Sequence, residues 1–167
     1  MSSGNGAGST DGEGSGDGRS VAPLSVAISP AIRAGIIDHA RAELPNESCG
    51  LIIGDKPAAD GGAALRWVPT RNRAASPYRY EIDSEDLLRL TIETDDADEV
   101  FWAILHSHVA SPARPSPTDI GLAFYPDALY VLVSLHPDEA DPATGEPGIR
   151  AWRILDGVVS EVTIVAG

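Results

Sequence analysis

Apolar residues along this chain fall into short runs of strand length, separated by turn residues. The runs that predict strands are residues 24–28, 48–54, 65–69, 78–82, 100–105, 129–135, 149–155 and 158–164. Residues 100–105 and 129–135 are almost continuously apolar, which is typical of strands covered on both faces. We expect residues 100–105 to be the central strand of the sheet.

Two stretches have helical spacing instead. Ser29 is expected to cap a helix that has proline at its first position and runs to about Glu43. The apolar positions of this helix are Ile32, Ile36, Ile37 and Ala40. A second helix is predicted to begin at Asp83 or Ser84 and to end in the acidic run at residues 95–99. Its apolar stripe is predicted to consist of Leu87, Leu88 and Leu90.

The order of these elements indicates the fold class. Residues 48–54 and 65–69 are expected to pair as a hairpin, and Asp156-Gly157 favours a two-residue turn between the last two strands. Strands and helices mix without a regular βαβ repeat. We therefore predict an α/β (α+β) fold with a mixed β-sheet flanked by helices, rather than a doubly wound parallel sheet.

Composition separates a tail from the folded part. The first 20 residues hold 7 of the 17 glycines and almost no apolar residues, so they cannot bury enough surface to offset the entropy lost on ordering. We predict that residues 1–22 are a disordered tail and that residues 23–167 form one folded domain.

Charge and cysteine content narrow the function classes. With 12 basic and 25 acidic residues the net charge is −13, which repels phosphate backbones and anionic lipid, so neither nucleic acid nor a membrane surface is an expected partner. No apolar run approaches the ~20 residues of a membrane span. A single cysteine and the lack of an export signal favour the cytoplasm.

One constellation of residues points to a metal. His106 and His108 follow the predicted central strand, and alternate strand residues project to one face, so both imidazoles can point at one ion. Asp119 follows in the first turn of a predicted short helix that begins after Ser116. Two histidines and one aspartate leave a fourth tetrahedral position for water, which is typical of catalytic zinc. We predict one Zn²⁺ per chain, held by His106, His108 and Asp119.

Two further residues are candidates for catalysis. A peptide-cleaving site needs a base, and Glu47 stands just before an apolar strand, where a carboxylate is unusual. Ser116 is a candidate donor to the oxyanion that forms on the attacked carbonyl. Ser116 and Asp119 also form a capping-box pattern, and the two interpretations are compatible.

Together these residues resemble a known family. Glu47, His106-x-His108, seven residues, Ser116, two residues and Asp119 match the pattern of the JAMM (MPN+) metalloproteases. Three further segments resemble its small bacterial branch, whose members cleave cysteine from sulfur-carrier proteins: RNRAASPYRYEID, PDALYVLVS and AWRILDG. The resemblance covers roughly residues 26–165.

Membership in that family implies a three-layer, cytidine-deaminase-like architecture and a zinc ion held by the HxH pair and the aspartate. It also implies a glutamate general acid/base and hydrolysis after the C-terminal glycine of a ubiquitin-like (β-grasp) protein. For the bacterial branch the substrate is a sulfur-carrier protein bearing cysteine on that glycine. Release of this cysteine, in cysteine biosynthesis, is the function we predict.

Some alternatives remain open at this point. A deconjugating isopeptidase for small ubiquitin-like modifiers and a non-catalytic binding module both fit the sequence. Cys49 is interpreted as a small apolar core residue. Four arginines are candidates for binding the carboxylate of a leaving cysteine: Arg71, Arg73, Arg79 and Arg114. Pairing of the chain with itself as a homodimer is a further possibility.

Overall fold

A computed structural model describes residues 24–167, which form a seven-stranded sheet with three α-helices. In chain order the elements are β1 (Ser25–Ile28), α1 (Pro30–Ala42), β2 (Cys49–Gly54), β3 (Ala64–Thr70), α2 (Ser84–Asp96), β4 (Val100–His108), α3 (Pro117–Gly121), β5 (Leu129–Ser134), β6 (Gly148–Leu155) and β7 (Val158–Ala166). The predicted tail, residues 1–22, lies outside the described residues.

The sheet is mixed, as predicted. Its strand order is β1-β7-β6-β5-β4-β2-β3. The pairs β1–β7 and β4–β5 are parallel, and the other neighbours are antiparallel. The expectation that residues 100–105 form the central strand was wrong by one position, because β5 lies in the middle. β4 is nevertheless an inner strand, covered on both faces, which is what its continuous apolar run indicated.

The core lies on both faces of the sheet, which gives three layers. Alternate residues of β5 separate the two sides: Val131 and Val133 pack in the cluster that contains α1, and Leu132 packs in the cluster that contains Leu90 of α2. The α1 side buries Ile36 among its central residues. The predicted layered architecture with flanking helices is therefore confirmed.

Both predicted hairpins form. β2 and β3 pair antiparallel from Cys49 opposite Thr70 onward. β6 and β7 are joined by a two-residue turn at Asp156 and Gly157, which have φ angles of 49° and 77°. Positive φ at both turn positions is what a hairpin turn matched to the strand twist requires, and it explains the Asp-Gly signal in the sequence.

The two long helices begin where the sequence predicted. The Ser29 hydroxyl caps α1, and the Asp83 carboxylate caps α2 by accepting from the amides of Glu85 and Asp86. The apolar stripe of α2 was partly wrong: Leu90 is 1% exposed, whereas Leu88 is 64% exposed. Successive helix residues point about 100° apart, so these leucines cannot all share one face. Among residues 24–167 no helix is long and apolar enough to cross a membrane.

The strand predicted at residues 78–82 does not form. These residues belong to a loop in which the Asn72 side chain takes over backbone hydrogen bonds. Its Nδ2 donates to the carbonyls of Glu47 at 2.9 Å and Arg79 at 3.1 Å, and its Oδ1 accepts from the amide of Glu81 at 3.0 Å. The backbone adds a single isolated bridge between Asn72 and Ile82, at which the Arg73 amide donates to the Glu81 carbonyl at 2.8 Å. An alternating apolar pattern cannot distinguish this arrangement from a strand, because side-chain bonds and one bridge take the place of a continuous ladder.

Candidate metal centre and active site

The two histidines lie at the end of β4. His106 and His108 are both buried and project to the same face of the strand, as their spacing predicted. Their Nε2 atoms are 3.2 Å apart. The Nδ1 atom of His108 lies 2.7 Å from the carbonyl oxygen of Pro112, which places the proton on Nδ1 and leaves the Nε2 lone pair facing its neighbours.

The third donor, Asp119, is oriented by the start of α3. The Ser116 amide donates to Oδ2 of Asp119 at 2.7 Å, and the Ser116 hydroxyl accepts from the Asp119 amide at 3.1 Å. This is a complete capping box. The same carboxylate lies 3.2 Å from His106 Nε2 through Oδ1 and 3.3 Å from His108 Nε2 through Oδ2. The geometry therefore completes the capping box and also brings the Asp119 carboxylate close to both histidines.

The three donors fit a small divalent cation. Ligands of a tetrahedral zinc at about 2.0–2.1 Å are about 3.3 Å from one another. The two Nε2 atoms are 3.2 Å apart, one carboxylate oxygen of Asp119 lies 3.2 Å from His106 and the other lies 3.3 Å from His108, so the three side chains converge closely enough to share one such ion. Nitrogen and carboxylate donors together suit zinc better than calcium or magnesium.

Electrostatics in this cluster favour positive charge. Burial opposes ionisation of Asp119, but hydrogen bonds from both histidines outweigh it and hold the pKa of Asp119 well below its usual range. For His108, burial is again opposed by the Asp119 and Pro112 hydrogen bonds, and the net pKa is raised. His106 is deeper, and burial lowers its pKa. A carboxylate that stays ionised beside two imidazoles is the environment that a cation requires.

Glu47 lies beside this centre, just before β2. Its side chain is only 5% exposed. Two hydrogen bonds join the adjacent residue to β4: the Ser48 amide donates to the hydroxyl of Ser107 at 2.7 Å, and the Ser107 amide donates to the Ser48 carbonyl at 3.0 Å. Burial raises the pKa of Glu47 to about 7, the nearby charge of His108 lowers it, and that of Asp119 raises it. A carboxylate with this pKa can both take and return a proton near neutral pH.

Three residues of the site were not found from the sequence. Tyr80 stacks on His106 with ring centroids 4.3 Å apart and planes 18° apart, Ser107 joins β4 to the start of β2, and Asn72 holds the loop. Tyr80 had been assigned to a strand. Only the long-range contacts reveal these roles, and no local spacing in the sequence signals them.

The remaining candidates lie where a packing interpretation places them. Cys49 is fully buried with its Sγ 3.4 Å from the Thr70 hydroxyl, and burial raises its thiol pKa to about 11, so it stays protonated and unreactive. Of the other two histidines, His39 packs against Trp67, and His136 caps a short 3₁₀ turn just after β5. The only three-donor cluster found within residues 24–167 is His106, His108 and Asp119.

A three-layer mixed sheet that ends an inner strand in His-x-His, with an aspartate and a buried glutamate beside it, defines a domain of the JAB/MPN class. Residues 29–155 match the model of prokaryotic homologs of the JAB domain. The chain belongs to this family.

Named relatives agree with this assignment. A CysO-cysteine peptidase of Mycobacterium bovis is 41% identical over 138 residues, which are 78% of this chain and 86% of the relative. A desampylase of Haloferax volcanii is 34% identical over 107 residues, which are 61% of this chain and 75% of the relative.

Solved structures show the same architecture. A protein from Desulfitobacterium hafniense superimposes with a TM-score of 0.71 and 31% identity, over 85% of this chain and 92% of the other. A JAB1/MPN domain protein from Archaeoglobus fulgidus gives a TM-score of 0.51 over 84% of this chain and 98% of the other. Its identity is 16%, so it supports the fold alone.

Proposed function

We propose that this chain is a zinc-dependent peptidase that hydrolyses the bond after the C-terminal glycine of a ubiquitin-like sulfur-carrier protein and releases cysteine. The chain is a hydrolase of the JAB family. The observation that carries the proposal is the convergence of two imidazoles and a carboxylate, whose donor atoms lie within 4.8 Å of one another, with a buried carboxylate of pKa about 7 beside them. The choice of substrate is supported by the CysO-cysteine peptidase relative, and a single cysteine, which can form no internal disulfide, fits the cytoplasmic location that we propose.

The donor set would hold one zinc ion. His106 and His108 offer Nε2 and Asp119 offers a carboxylate oxygen. Bound there, the ion supplies Lewis acidity, which polarises a carbonyl and brings the pKa of a water molecule to about 7. Pro112 and Ser116 keep the donors oriented through the hydrogen bonds described above.

Glu47 would move the proton. Its carboxylate takes a proton from water while the hydroxide oxygen bonds to the glycine carbonyl carbon, and it then gives that proton to the amine nitrogen as the C–N bond breaks. The products are a carrier with a free C-terminal glycine carboxylate and free cysteine. Because its pKa is about 7, Glu47 is available in both protonation states during this cycle.

Ser116 would assist at the carbonyl oxygen. Its hydroxyl oxygen accepts a hydrogen bond from the Asp119 amide, so the hydroxyl proton is left to donate elsewhere. Directed at the oxygen that gains negative charge during attack, this donor would stabilise the transition state.

A Glu47→Gln variant tests the proposal. The purified protein, loaded with zinc, is incubated with a β-grasp carrier ending in Gly-Gly-Cys, and free cysteine is measured with and without a chelator. We expect metal-dependent release by the unmodified protein. We expect a loss of 10²–10⁴-fold in Glu47→Gln with metal content and thermal stability retained. Absence of release by the unmodified zinc protein, or full activity in the variant, would contradict the proposal.

The second candidate is removal of ubiquitin-like modifiers from lysine side chains. It is favoured by the likeness to the Haloferax desampylase. The same donors and the same base would serve, since only the leaving amine differs. A carrier joined through its C-terminal glycine to a lysine side chain distinguishes the two. Preferential cleavage of this isopeptide over the cysteine adduct would favour the second candidate.

A further inference from the structure

A cleft of about 350 Å³ opens beside the metal centre, on the side of the 71–83 loop. Asp119 forms part of its wall, so the cleft adjoins the donor set directly. Tyr80, whose ring covers His106, and Leu122 supply apolar surface, and Thr118 supplies a hydroxyl. Its volume lies at the lower end of the range for small-molecule sites. Because the cleft borders Asp119, it is within reach of a group that leaves from a carbonyl bound at the donors.

Arg79 is the one arginine that lines this cleft. The other three candidates from the sequence do not. Arg71 is ion-paired with Asp83 at the start of α2, and Arg114 lies on the loop between β4 and α3, outside the cleft lining. Arg73 lies 3.6 Å from the carboxylate of Glu81, which also borders the cleft. Glu81 and Asp119 are the acidic residues of the cleft lining, and the charge of Glu81 is balanced by its ion pair with Arg73.

The guanidinium of Arg79 is uncommitted. Within residues 24–167 it forms no ion pair or side-chain hydrogen bond, and the residue is exposed at the cleft. An exposed arginine without a partner beside a catalytic centre can accept a ligand carboxylate without first breaking an internal pair. Arginine suits this task because its planar fork binds a carboxylate through two parallel hydrogen bonds.

The backbone places Arg79 next to the base. A single nitrogen, Nδ2 of Asn72, donates to the carbonyls of Glu47 and Arg79 at 2.9 and 3.1 Å, so the two backbones are neighbours. In an amino acid leaving from glycine, the amine nitrogen and the carboxylate carbon are separated by two bonds, about 2.5 Å. The carboxylate of an amine that receives its proton from Glu47 therefore lies close to Glu47, and the backbone of Arg79 is a neighbour of that residue.

We propose that Arg79 binds the free α-carboxylate of the amino acid that leaves from the carrier glycine, and so selects substrates that carry a single C-terminal residue. This inference rests on the proposed function. It assigns the site to removal of one amino acid from a protein C-terminus. A lysine inside a second protein has no free carboxylate at that position, so Arg79 would disfavour isopeptide substrates.

Two matched substrates test this role. One is a β-grasp carrier ending in Gly-Gly-Cys with a free carboxylate, and the other is the same carrier ending in Gly-Gly-Cys-amide. The measured quantity is the ratio of kcat/KM for the acid to that for the amide, with the zinc-loaded protein. We expect a ratio of at least 10 for the unmodified protein, a ratio near 1 for Arg79→Ala, and an intermediate ratio for Arg79→Lys, which keeps the charge but not the fork.

Arg89→Ala is the matched control. Arg89 is an exposed arginine on α2, paired with Asp86 and Glu93 and remote from the cleft lining, and we expect its variant to keep the ratio of the unmodified protein. Equal cleavage of acid and amide by the unmodified protein, or an unchanged ratio in Arg79→Ala, would overturn the role of Arg79 and leave the proposed function standing. No cleavage of either substrate by the unmodified protein would overturn both.

Discussion

Glu47 shows how a single carboxylate is tuned by its surroundings. Its side chain is almost completely buried, and the bonds between Ser48 and Ser107 hold it at the end of β4. Removal from water disfavours the charged form, which raises the pKa to about 7. At neutral pH the group is therefore divided between its two protonation states, whereas an exposed glutamate would be fully ionised.

This pKa predicts the acid limb of the pH–rate profile. Only the ionised form of Glu47 can accept a proton, so kcat/KM should fall tenfold per pH unit below the pKa of Glu47, which burial raises toward about 7 and the charge of a bound zinc ion lowers. The profile is measured with the zinc-loaded protein and the Gly-Gly-Cys carrier between pH 5 and 9. A value of kcat/KM that stays constant from pH 7 down to pH 5 would contradict a raised pKa of the base.

The same shift predicts a stability effect. The pKa of Glu47 is about 7 in the folded protein against an ordinary value of 4.5 in the unfolded chain, so the folded state binds more protons in that interval and loses stability as the pH rises through it. Glu47→Gln removes this loss. In metal-free protein, we compare the unfolding free energy of the variant with that of the unmodified protein at each pH. We expect this difference to be larger at pH 8 than at pH 5, in favour of the variant, by on the order of 1–3 kcal/mol. The readout is urea denaturation at both pH values.

Glu85→Gln is the control for that comparison, because Glu85 lies exposed in the first turn of α2. Relative to the unmodified protein, the Glu85→Gln variant should not gain more unfolding free energy at pH 8 than at pH 5. An equal gain at pH 5 and pH 8 in Glu47→Gln would mean that the effect comes from packing and not from ionisation.

At the scale of elements, the loop of residues 71–83 positions residues of the candidate site although it has no regular secondary structure. The buried amide of Asn72 donates to the Glu47 carbonyl, and the Glu47 amide donates to the Ser76 carbonyl at 2.8 Å, so two hydrogen bonds tie this loop to Glu47. The Asn72 side chain uses both donors and accepts from two amides, so the loop that carries Tyr80 and Arg79 has a fixed position relative to Glu47.

Asn72→Asp should disrupt this connection. The carboxylate cannot donate to the carbonyls of Glu47 and Arg79, and leaving buried groups unpaired costs about 1–3 kcal/mol each. We expect kcat/KM to fall at least tenfold while the zinc content is retained, because no metal donor lies on the loop. Asn46→Asp adds the same charge one residue before Glu47 and should have the smaller effect. Equal losses in both variants would indicate that charge, not positioning, is responsible.

The sequence predicted elements well where the signal was local. The caps at Ser29 and Asp83, the Asp-Gly turn and the apolar run of β4 each have a physical cause within a few residues of chain. The strand expected at residues 78–82 failed for the opposite reason. Its hydrogen-bond partners are the side chain of Asn72 and one isolated backbone bridge, and no periodicity encodes such partners.

The candidate site shows the same contrast between residues with a local signal and residues placed by long-range contacts. The two histidines and Asp119 could be found because one strand and one helix start place them at fixed spacing. The residues alone give less support to the assignment of Glu47, because its place beside the donors depends on pairing between β2 and β4. Tyr80 was missed because its contact with His106 joins positions far apart in the chain.

At the scale of the whole molecule, a bound ion would join β4 to α3, two elements separated by an irregular loop. A ligand that binds only the folded state stabilises it by about 2.7 kcal/mol at a free concentration one hundred times its Kd. For a domain of this size we expect zinc to raise Tm by about 5–10 °C, and a chelator to reverse the rise. Calorimetry with and without zinc measures it.

Asp119→Asn is the companion variant for this measurement. It keeps the size of the side chain but removes the charge that the two histidines face. We expect its Tm to respond little to zinc. A full zinc response in this variant would show that the ion binds elsewhere in the protein.

Glu47 directly precedes the first pair of β2, and the two histidines end β4, an adjacent strand in antiparallel register with Cys49 opposite His106. The position of the base relative to the histidines is therefore set by the backbone ladder of the sheet. Segments that carry no residue of the site, such as residues 55–63 between β2 and β3, can lengthen, shorten or change composition without moving the reacting groups. Such a framework lets a lineage exchange one carrier for another while the chemistry itself stays intact.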